Sequence, residues 1–499
     1  AIAVLILLIA AVNYMNLVTA RASTRAREIG VRKVTGADRG QLVRQFLGES
    51  VLFSFLALGA ALALARLVLG RFNAVAGTGL GFRDLLAPSF FLLLAASTLV
   101  VGLLAGAYPA LMLSSFQASK VLKEHAASGR KGSRLRNVLV VGQFAASVAL
   151  LVCALVVSGQ LRFIQTRELG YDREHVVVIP LREPDAMAKA AALKAEFLRL
   201  PEVESVSRTS GLPTNIRSRM INQKLTTEKG ETVKMDFHFD YVDEDFLDVF
   251  RIELAAGRDL AAGEKNTVLI NETFATTAGW QDPIGKELGF REKMRVVGVV
   301  KDFHFKSLHA PMAPMALFPE SGNMLAVRIR SGAVPGVVAR LEQAFKAAVR
   351  SQPWDFSFFD EEYDALYRKE RRAGQIFGAF AGLAVFIACL GLLGLAAFAV
   401  ERRTKEIGIR KVMGASAPGL AVKLGREFVG LVLLAIVIAW PVAYYAMSRW
   451  LQGFAYRVSL GPGAFVLAAL GALIVAVLTV GAQTLRAASA DPVDSLRYE

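Results

Sequence analysis

Long apolar stretches alternate with short basic segments along most of the chain. A helix needs about 20 apolar residues to cross a bilayer core of roughly 30 Å. Six uncharged stretches meet this length, and a seventh, Ser50–Leu69, is interrupted only by Arg66. The six are Ala1–Ala20, Leu85–Ser119, Asn137–Leu161, Ala373–Val400, Phe428–Ser448 and Val458–Leu485. The pattern therefore predicts seven membrane-spanning helices.

Residues 159–372 have a different pattern, in which β-branched runs alternate with helical periodicity. Strands are predicted at His175–Leu181, Thr232–Val242, Thr267–Ile270, Met294–Val300 and Met324–Ile329. Helices are predicted at Pro184–Leu200, Asn271–Ala278 and Val334–Val349. At the two edges, Ser158–Leu169 and Asp360–Arg372 are predicted to continue the neighbouring spans as a paired helical stalk. This stretch is therefore expected to fold as an α+β domain between two spans.

Composition supports a membrane protein, because 54% of the residues are hydrophobic and only 20% are charged. The net charge of +15 is concentrated in every second loop, which the positive-inside rule places in the cytoplasm. These cytoplasmic segments are 21–44, 120–136, 402–426 and 486–499, and the outer segments are 70–84, 159–372 and 449–457. The lipid bilayer thus accounts for the charge, and no nucleic-acid partner is predicted. Residue 1 would lie on the outer side, so we expect further sequence and at least one more span upstream.

One basic segment occurs twice. Residues 28–37, EIGVRKVTGA, match residues 406–415, EIGIRKVMGA, at eight of ten positions with an offset of 378. The offset continues to Glu49 and Glu427, each just before an apolar stretch. A second echo pairs 115–123 with 489–497, and each of these follows the last span of its copy. The chain therefore contains two copies of one design.

The repeated segment predicts a short amphipathic helix that ends at a glycine. Glu28 and Arg32 are four residues apart with the acid first, which is the better orientation for a helical pair. Gly36 suits a helix C-terminus. Basic anchors on lipid headgroups would explain the charges alone. A docking surface for a cytoplasmic partner would also explain why the glutamate, the isoleucine and both glycines recur.

The sequence has no motif that indicates catalysis. The HExxH, GxSxG and GxxxxGK[ST] patterns are absent, and Cys153 and Cys389 lie far apart inside apolar stretches. Asp302 and His304 are interpreted as a packing cluster at a strand end. We therefore predict no catalytic, metal or cofactor site on this chain, and active transport would need a separate ATPase.

With these motifs in hand, the chain resembles an FtsX-like permease of the MacB-type (type VII) ABC transporter superfamily. The resemblance rests on the repeated EIG(V/I)RKV(T/M)G and on four outer motifs: Gly257-Arg-Asp259, Val268-Leu-Ile-Asn-Glu272, Trp280-Gln-Asp-Pro-Ile-Gly-Lys286 and Val297-Gly-Val-Val-Lys-Asp-Phe-His304. It implies a helical polytopic membrane protein with an α+β periplasmic domain of MacB type, located in a bacterial inner membrane. This sequence departs from the two-half family pattern because it lacks the first span and the first periplasmic domain.

The resemblance also implies a domain division and a partner. Residues 1–136 would form a first permease unit of three spans, 137–161 the leading span of the second unit, 162–372 the periplasmic domain with stalk helices, and 373–499 the second permease unit. A cytoplasmic ABC ATPase dimer, which carries ATP and Mg²⁺, would contact both repeated segments. The coupling role would fall on Arg27, Glu28, Gly30, Arg32, Lys33 and Gly36, and on Lys405, Glu406, Gly408, Arg410, Lys411 and Gly414. A periplasmic adaptor or another envelope protein is a further candidate partner.

Three functions are consistent with the sequence. The favoured one is a permease that couples ATP hydrolysis on a separate ATPase to periplasmic motion, which drives efflux or extraction of a substrate. The alternative is a non-transporting complex that transmits motion to an envelope enzyme such as a peptidoglycan hydrolase. The third, a membrane enzyme or sensor, lacks support because no catalytic group is found. The sequence does not identify the substrate.

Overall fold

The computed structural model describes residues 2–20, 32–33, 35–114, 129–216, 218–228, 231–290, 292–320, 322–332, 334–402 and 404–489. Its helices are α1 (Ile2–Ala20), α2 (Arg39–Ala76), α3 (Phe82–Leu85), α4 (Pro88–Ser114), α5 (Gly129–Thr166), α6 (Pro184–Ala188), α7 (Ala190–Leu198), α8 (Phe246–Phe250), α9 (Glu272–Ala278), α10 (Val334–Ala348), α11 (Phe359–Leu366), α12 (Arg368–Arg402), α13 (Thr404–Val412), α14 (Ala417–Leu451) and α15 (Pro462–Ser489). Among the described residues, seven helices are long and apolar enough to cross a membrane: α1, α2, α4, α5, α12, α14 and α15. The seven predicted spans are therefore confirmed as helices of sufficient length and hydropathy.

The strands form one mixed sheet. They are β1 (Val176–Pro180), β2 (Val203–Thr209), β3 (Arg219–Thr226), β4 (Thr232–Val242), β5 (Leu254–Gly257), β6 (Thr267–Asn271), β7 (Glu287–Phe290), β8 (Glu292–Val300), β9 (Met315–Pro319), β10 (Met324–Ile329) and β11 (Ser357–Phe358). Their order is β11-β1-β10-β2-β4-β9-β6-β8-β5, with β3 beside β4 and β7 beside β8. The β4–β9 and β6–β8 pairs are parallel, and the other pairs are antiparallel. The α+β fold predicted from the alternating pattern is confirmed.

The chain divides into two compact units. The helical unit comprises Ala1–Gln160, Glu370–Trp450 and Ser459–Glu499, and the sheet unit comprises Leu161–Lys369 and Leu451–Val458. Seven long helices belong wholly or mainly to the first unit, and the whole sheet belongs to the second. Each unit has its own buried apolar clusters.

The sheet unit has two apolar cores because the sheet is covered by helices at two places. Val177, Ile179 and Val327 of β1 and β10 pack against α6, α7 and α10. Farther along the sheet, Phe237 of β4 packs with Phe274 of α9 at a ring-centroid distance of 5.2 Å. These layers bury the strands on the helical side and fix the sheet as a scaffold.

A buried arginine ties the first strands to the loop after α5. Arg328 of β10 is 2% exposed, and its Nε donates to the Val249 carbonyl at 2.6 Å. Its Nη2 donates to the Asp172 carbonyl at 2.9 Å, and Nη1 donates to the Glu174 carbonyl at 3.1 Å. Because a buried guanidinium needs partners for its donors, these carbonyls make Arg328 a structural rather than a catalytic residue.

The segment Leu451–Val458, which connects α14 to α15, packs within the sheet unit. The ring of Tyr456 meets His304 edge-on at 4.7 Å, and Arg167 lies 4.5 Å from the Tyr456 ring centroid. The Phe454 ring stacks on His309 at 4.0 Å. His304 therefore lies in a packing cluster, as its position at a strand end predicts.

Glycines allow close helix packing in the helical unit. A Cβ added at Gly106 of α4 would lie 2.6 Å from the Ser50 side chain of α2. A Cβ at Gly391 of α12 would overlap Asn13 of α1. Small residues at such crossings let helix backbones approach each other closely, as is typical of membrane helices.

The structure differs from the predicted elements in two helices and in several strands. The predicted helix Pro184–Leu200 is divided at Lys189 into α6 and α7. The expected helix over Asp360–Arg372 breaks for one residue at Tyr367, between α11 and α12. Tyr367 is 4% exposed, and its hydroxyl accepts a hydrogen bond from Leu308 N–H at 2.8 Å. Tertiary packing therefore overrides the local helical pattern at this point. Strands such as β3 and β9 were not predicted, because their sequences lack an alternating or long β-branched pattern.

Candidate docking segments

We name the two copies of the repeated motif the first docking segment (residues 27–36) and the second docking segment (residues 405–414). The structure describes much of the two segments taken together. Three predicted residues of the first docking segment lie outside the described residues: Arg27, Glu28 and Gly30. The other three lie within them: Arg32, Lys33 and Gly36. In the second, the predicted residues Lys405, Glu406, Gly408, Arg410, Lys411 and Gly414 all lie in α13 or in the turn after it. Most of the geometry therefore comes from the second segment.

An ion pair runs along α13. Glu406 and Arg410 are four residues apart, and their carboxylate and guanidinium atoms approach to 2.6 Å. The two side chains are 49% and 40% exposed, respectively. The acid lies in the first turn and the base in the last, which complements the helix dipole. An exposed pair of this kind adds little to stability, but it holds two opposite charges at fixed positions on the helix surface.

Both docking segments end in the same backbone hydrogen bonds. In the second, Ala415 N–H donates to the Arg410 carbonyl at 3.0 Å, and Gly414 N–H donates to the Lys411 carbonyl at 3.0 Å. In the first, Ala37 N–H donates to the Arg32 carbonyl at 2.9 Å, and Gly36 N–H donates to the Lys33 carbonyl at 3.2 Å. The two glycines have φ values of 99° for Gly36 and 90° for Gly414. This is the Schellman arrangement, which requires a residue of positive φ and therefore favours glycine.

A capping residue follows each glycine and begins the next long helix. Asp38 and Gln41 form a capping box at the start of α2, with Asp38 N–H donating to Gln41 Oε1 at 3.2 Å. Ser416 Oγ accepts a hydrogen bond from Gly419 N–H at 3.3 Å at the start of α14. Asp38 and Ser416 occupy equivalent positions, 378 residues apart. In each copy, the glycine turn and the cap thus connect the segment to a span without an intervening flexible loop.

One side of α13 packs inward and the other faces out. Ile407 is 6% exposed and forms a small apolar cluster with Leu420 and Leu424 of α14. Ile409 and Met413 are instead 47% and 82% exposed. An exposed apolar surface that is flanked by charged groups is typical of a protein-binding site.

A cleft of about 250 Å³ lies between α13 and the start of α14. Its floor is apolar, formed by Ile407, Leu420 and Leu424. Its charged lining residues are Glu406, Arg410, Lys423 and Glu427. The cleft thus offers an apolar base with charges of both signs at its edge, which can orient a partner side chain.

The first docking segment has its own contacts within the helical unit. Arg32 donates to Gln45 Oε1 at 2.9 Å, and Gln45 Nε2 donates to Glu49 Oε1 at 3.1 Å. Lys33 Nζ donates to the Ser114 carbonyl at the end of α4, at 2.6 Å. Sequence comparison of the copies did not identify Gln45 or Ser114, because neither recurs in the second copy. The predicted helix end at Gly36, by contrast, is observed.

The described residues contain no group of three or more His, Cys, Asp or Glu side chains that could hold a metal ion. Within the sheet unit, Asn271 Nδ2 and Thr273 Oγ1 donate to the Asp302 carboxylate at 2.7 Å and 2.6 Å. Asp302 therefore supports the start of α9. Together with the packing of His304 against Tyr456, these contacts give the Asp302 and His304 motif a structural explanation.

Two protein-family models match most of the chain. Residues 1–118 and 378–492 match the FtsX-like permease C-terminal model, and residues 139–344 match the MacB-like periplasmic core domain model. The first match includes both docking segments. The chain therefore belongs to the FtsX-like permeases that carry a MacB-like periplasmic core domain, which are permease components of ABC transporters.

Curated relatives and a solved structure are similar to this chain at low identity. The uncharacterised ABC transporter permease YknZ of Bacillus subtilis is 20% identical over 353 residues, which is 64% of this chain and 84% of YknZ. The macrolide export ATP-binding/permease protein MacB of Chlorobium luteolum is 26% identical over 261 residues, which is 48% of this chain and 39% of that protein. The periplasmic region of MacB from Actinobacillus actinomycetemcomitans aligns with 41% of this chain and 97% of that structure, at 14% identity and a TM-score of 0.29.

Proposed function

We propose that this chain is the permease subunit of an ABC transporter in a bacterial inner membrane, and that a separate cytoplasmic ATPase dimer binds its two docking segments. The observation that carries the proposal is the shared end of the two segments, at Gly36 and Gly414, where equivalent hydrogen bonds fix each helix to a span. Two equivalent attachment points suit the two subunits of a dimer. ATP and Mg²⁺ belong to the partner in this account, and this chain supplies no catalytic group.

The outward face of α13 is the surface that the ATPase would bind. Ile409, Val412 and Met413 are exposed there, beside the basic Arg410 and Lys411. Such a helix fits an apolar groove that has an acidic rim, since the apolar side chains supply contact area and the cations select the partner. Membrane headgroups would attract the cations as well, but they do not require the fixed glycine turn.

Motion of the ATPase would reach the sheet unit through the chain. The turn at Gly414 and the cap at Ser416 join α13 to α14, and α14 ends at Leu451. The following segment, Leu451–Val458, packs within the sheet unit through Phe454 and Tyr456. Displacement of α14 would therefore pull on aromatic contacts of the sheet unit. We propose that this movement drives efflux or extraction of a substrate on the outer side.

Transport is preferred to regulation of an envelope enzyme. The relatives with a named activity include macrolide export proteins and pyoverdine export proteins. These names describe those proteins, and the substrate of this chain is a separate question. A periplasmic adaptor or other envelope protein stays a candidate partner of the sheet unit.

The test is coupled ATP hydrolysis in nanodiscs that contain the full chain and its candidate ABC ATPase. We compare the unmodified chain with the double variant Arg410→Glu/Lys411→Glu. Reversal of both charges is expected to weaken co-purification of the ATPase and to lower hydrolysis toward the rate of the ATPase alone, because one of the two attachment points is lost. The matched control is Lys293→Glu on β8 of the sheet unit, a lysine with an 80% exposed side chain.

The control should leave complex formation and hydrolysis unchanged. A double variant that folds, binds the ATPase and stimulates hydrolysis like the unmodified chain would reduce the second docking segment to a membrane anchor and remove the two-point attachment. Folding of each variant is checked by gel filtration and by the thermal unfolding midpoint in the same nanodiscs. If a folded double variant binds and stimulates the ATPase like the unmodified chain, the docking proposal is abandoned.

A further inference from the structure

The sheet unit contains a cavity of about 550 Å³ on the face of the sheet opposite α6, α7 and α10. Val177 and Ile179 of β1 pack against those helices, whereas Val178 and Pro180, which alternate with them, line the cavity. Pockets of this size accommodate a small organic ligand. The proposed docking of an ATPase does not involve this cavity.

One wall of the cavity holds a buried carboxylate. Asp240 of β4 is 5% exposed, and its Oδ1 accepts a hydrogen bond from Tyr241 N–H at 2.9 Å. Its neighbours Phe239 and Tyr241 pack against the apolar cluster on the other face of the sheet. Burial raises the pKa of Asp240, and the Gly211 backbone, which lies against the carboxylate, lowers it in part. Within the part of the chain that the structure describes, however, no group donates a well-directed hydrogen bond to Asp240 Oδ2. A buried carboxylate oxygen without a donor is unfavourable, so it indicates a missing partner.

The loop beside Asp240 is held in place by its own hydrogen bonds. Ser210 N–H donates to the Tyr241 carbonyl at 2.9 Å, and Thr209 Oγ1 donates to the Gly211 carbonyl at 2.7 Å. A Cβ at Gly211 would overlap Asp240 Oδ2. Glycine is therefore needed for this loop to lie against the carboxylate. The site does not depend on a ligand for its shape.

The charged residues that line the cavity are mostly acidic. They are Asp240, Asp355 and Glu362, together with the cation Arg182. Arg182 and Asp355 pair with each other at 2.5 Å, and both are about half exposed. Their charges therefore offset one another at the mouth. Asp240 in the wall and the exposed Glu362 leave the cavity with a negative balance, which disfavours an anionic ligand.

The uncharged lining is mixed, with apolar side chains such as Leu212, Met324 and Phe356 beside the polar Ser210, Asn215, Ser218 and Ser357. We propose that this cavity binds a small amphipathic amine, whose ammonium group donates to the Asp240 carboxylate while its apolar body contacts Met324 and Phe356. A charge-assisted hydrogen bond in a buried place is stronger than one in water. The role of this ligand as cargo or signal rests on the proposed function, but the site itself does not.

Ionisation of Asp240 should make the binding depend on pH. Burial raises the pKa of Asp240 to about 7, and the other charged groups that line the cavity are Arg182, Asp355 and Glu362. An alkylamine stays protonated between pH 6 and pH 8, whereas Asp240 changes from mostly neutral to mostly ionised. The affinity is therefore expected to rise by about tenfold over this interval.

The experiment titrates the full chain in nanodiscs, without any ATPase, with phenethylamine and with 2-phenylethanol, and subtracts the heat of empty nanodiscs. The two probes have the same ring and chain, and only the amine carries a cation. We expect the amine to bind at least about tenfold more tightly than the alcohol. Asp240→Asn should remove this preference, whereas Glu287→Gln, at an exposed side chain of β7, should retain it.

Equal affinity for amine and alcohol would overturn the proposal, as would an Asp240→Asn variant that keeps the preference for the amine. If Asp240→Asn does not fold, Asp355→Asn gives the second test. This change releases Arg182 at the mouth, so it should weaken binding of the amine and leave binding of the alcohol unchanged. No ATPase is present in these titrations, so their failure is distinguishable from a failure of the docking proposal.

Discussion

The two docking segments differ in their side-chain contacts although their backbones end alike. In the first, Arg32 donates to Gln45, and Gln45 donates to Glu49. In the second, Arg410 instead pairs with Glu406 inside its own helix. The position equivalent to Gln45 is a lysine, at 423, so a neutral amide is replaced by a cation that repels the arginine. The arginine is retained in both copies, but its partner is not.

The difference shows which features the repeated fold depends on. Three features recur at the offset of 378: a glycine of positive φ, a capping residue and two apolar positions. The apolar positions are Leu42 and Phe46 in the first copy and Leu420 and Leu424 in the second. Buried side chains and special backbone angles contribute about 1–4 kcal/mol each, whereas an exposed polar pair contributes a few tenths. The stronger determinants recur, and the weaker ones have changed.

The largest expected effect comes from the buried leucines. Leu42 and Leu420 are 2% and 5% exposed, so Leu42→Ala and Leu420→Ala should each destabilise the protein by about 2–3 kcal/mol. Thermal unfolding in detergent measures the change. The matched control is Val422→Ala, because Val422 is 72% exposed. Loss of stability in only one copy would show that the two clusters are not equivalent.

The next effect comes from the glycine turns. No atom lies within 4 Å of a Cβ added at Gly36 or Gly414, so substitution by alanine would cost only backbone strain. At these positive φ values we expect Gly36→Ala and Gly414→Ala to cost about 1–2 kcal/mol each. Hydrogen exchange at Ala37 and Ala415, whose N–H groups close the turns, reports the change.

Helical glycines supply the control for these turns. Gly48 and Gly430 lie inside α2 and α14, and a Cβ there would also meet no atom within 4 Å. Gly48→Ala and Gly430→Ala should be neutral or stabilising by about 0.5–1 kcal/mol. If the turn variants behave like these helical variants, a positive φ at the segment ends is not required.

The helix caps should have a smaller effect. Asp38→Ala and Ser416→Ala each remove a cap at the start of a long helix, which costs about 1 kcal/mol. When each cap is replaced instead by the residue of the other copy, as Asp38→Ser or Ser416→Asp, most of the stability that alanine removes should be retained. Thermal unfolding again provides the measurement. If an exchanged residue destabilises the protein as much as alanine does, the two caps have different roles.

The smallest effect is expected from the ion pair on α13. Glu406→Gln should cost only a few tenths of a kcal/mol at low salt, and the difference should disappear at high ionic strength. Comparison of unfolding midpoints at the two salt concentrations measures it. A loss as large as that of Leu420→Ala would mean that Glu406 has a structural role beyond this exposed pair.

Sequence patterns predict the parts of this fold that depend on local or periodic signals. The run at Val176–Ile179 is β-branched throughout, and the strand Val176–Pro180 was predicted to within one residue at each end. The strand Arg219–Thr226 was missed because it is polar and largely exposed, and it pairs with β4 beside the main sheet path. Met315–Pro319 was missed because it is short and lies next to prolines.

The docking segments show the same limit. The helix end at Gly414 follows from the glycine itself, so the sequence predicts it. The contact between Lys33 and the Ser114 carbonyl joins residues 81 positions apart, and no local pattern indicates it. The buried Asp240 was also missed, because its burial depends on how the loop at Gly211 lies against β4.

Cross-linking from equivalent positions of the two segments tests the central claim most directly. Thr35 and Met413 are exposed and 378 residues apart, so Thr35→Cys and Met413→Cys are introduced singly into a chain in which Cys153 and Cys389 are replaced by alanine. A short reagent that carries a maleimide and an N-hydroxysuccinimide ester, and so joins the introduced thiol to a lysine of the ATPase, is then added to the complex. Lys293→Cys on the sheet unit is the control. Cross-links to the ATPase from both segments and none from the control are predicted. A complex that forms without a cross-link from either segment, or with one from position 293, would contradict the account.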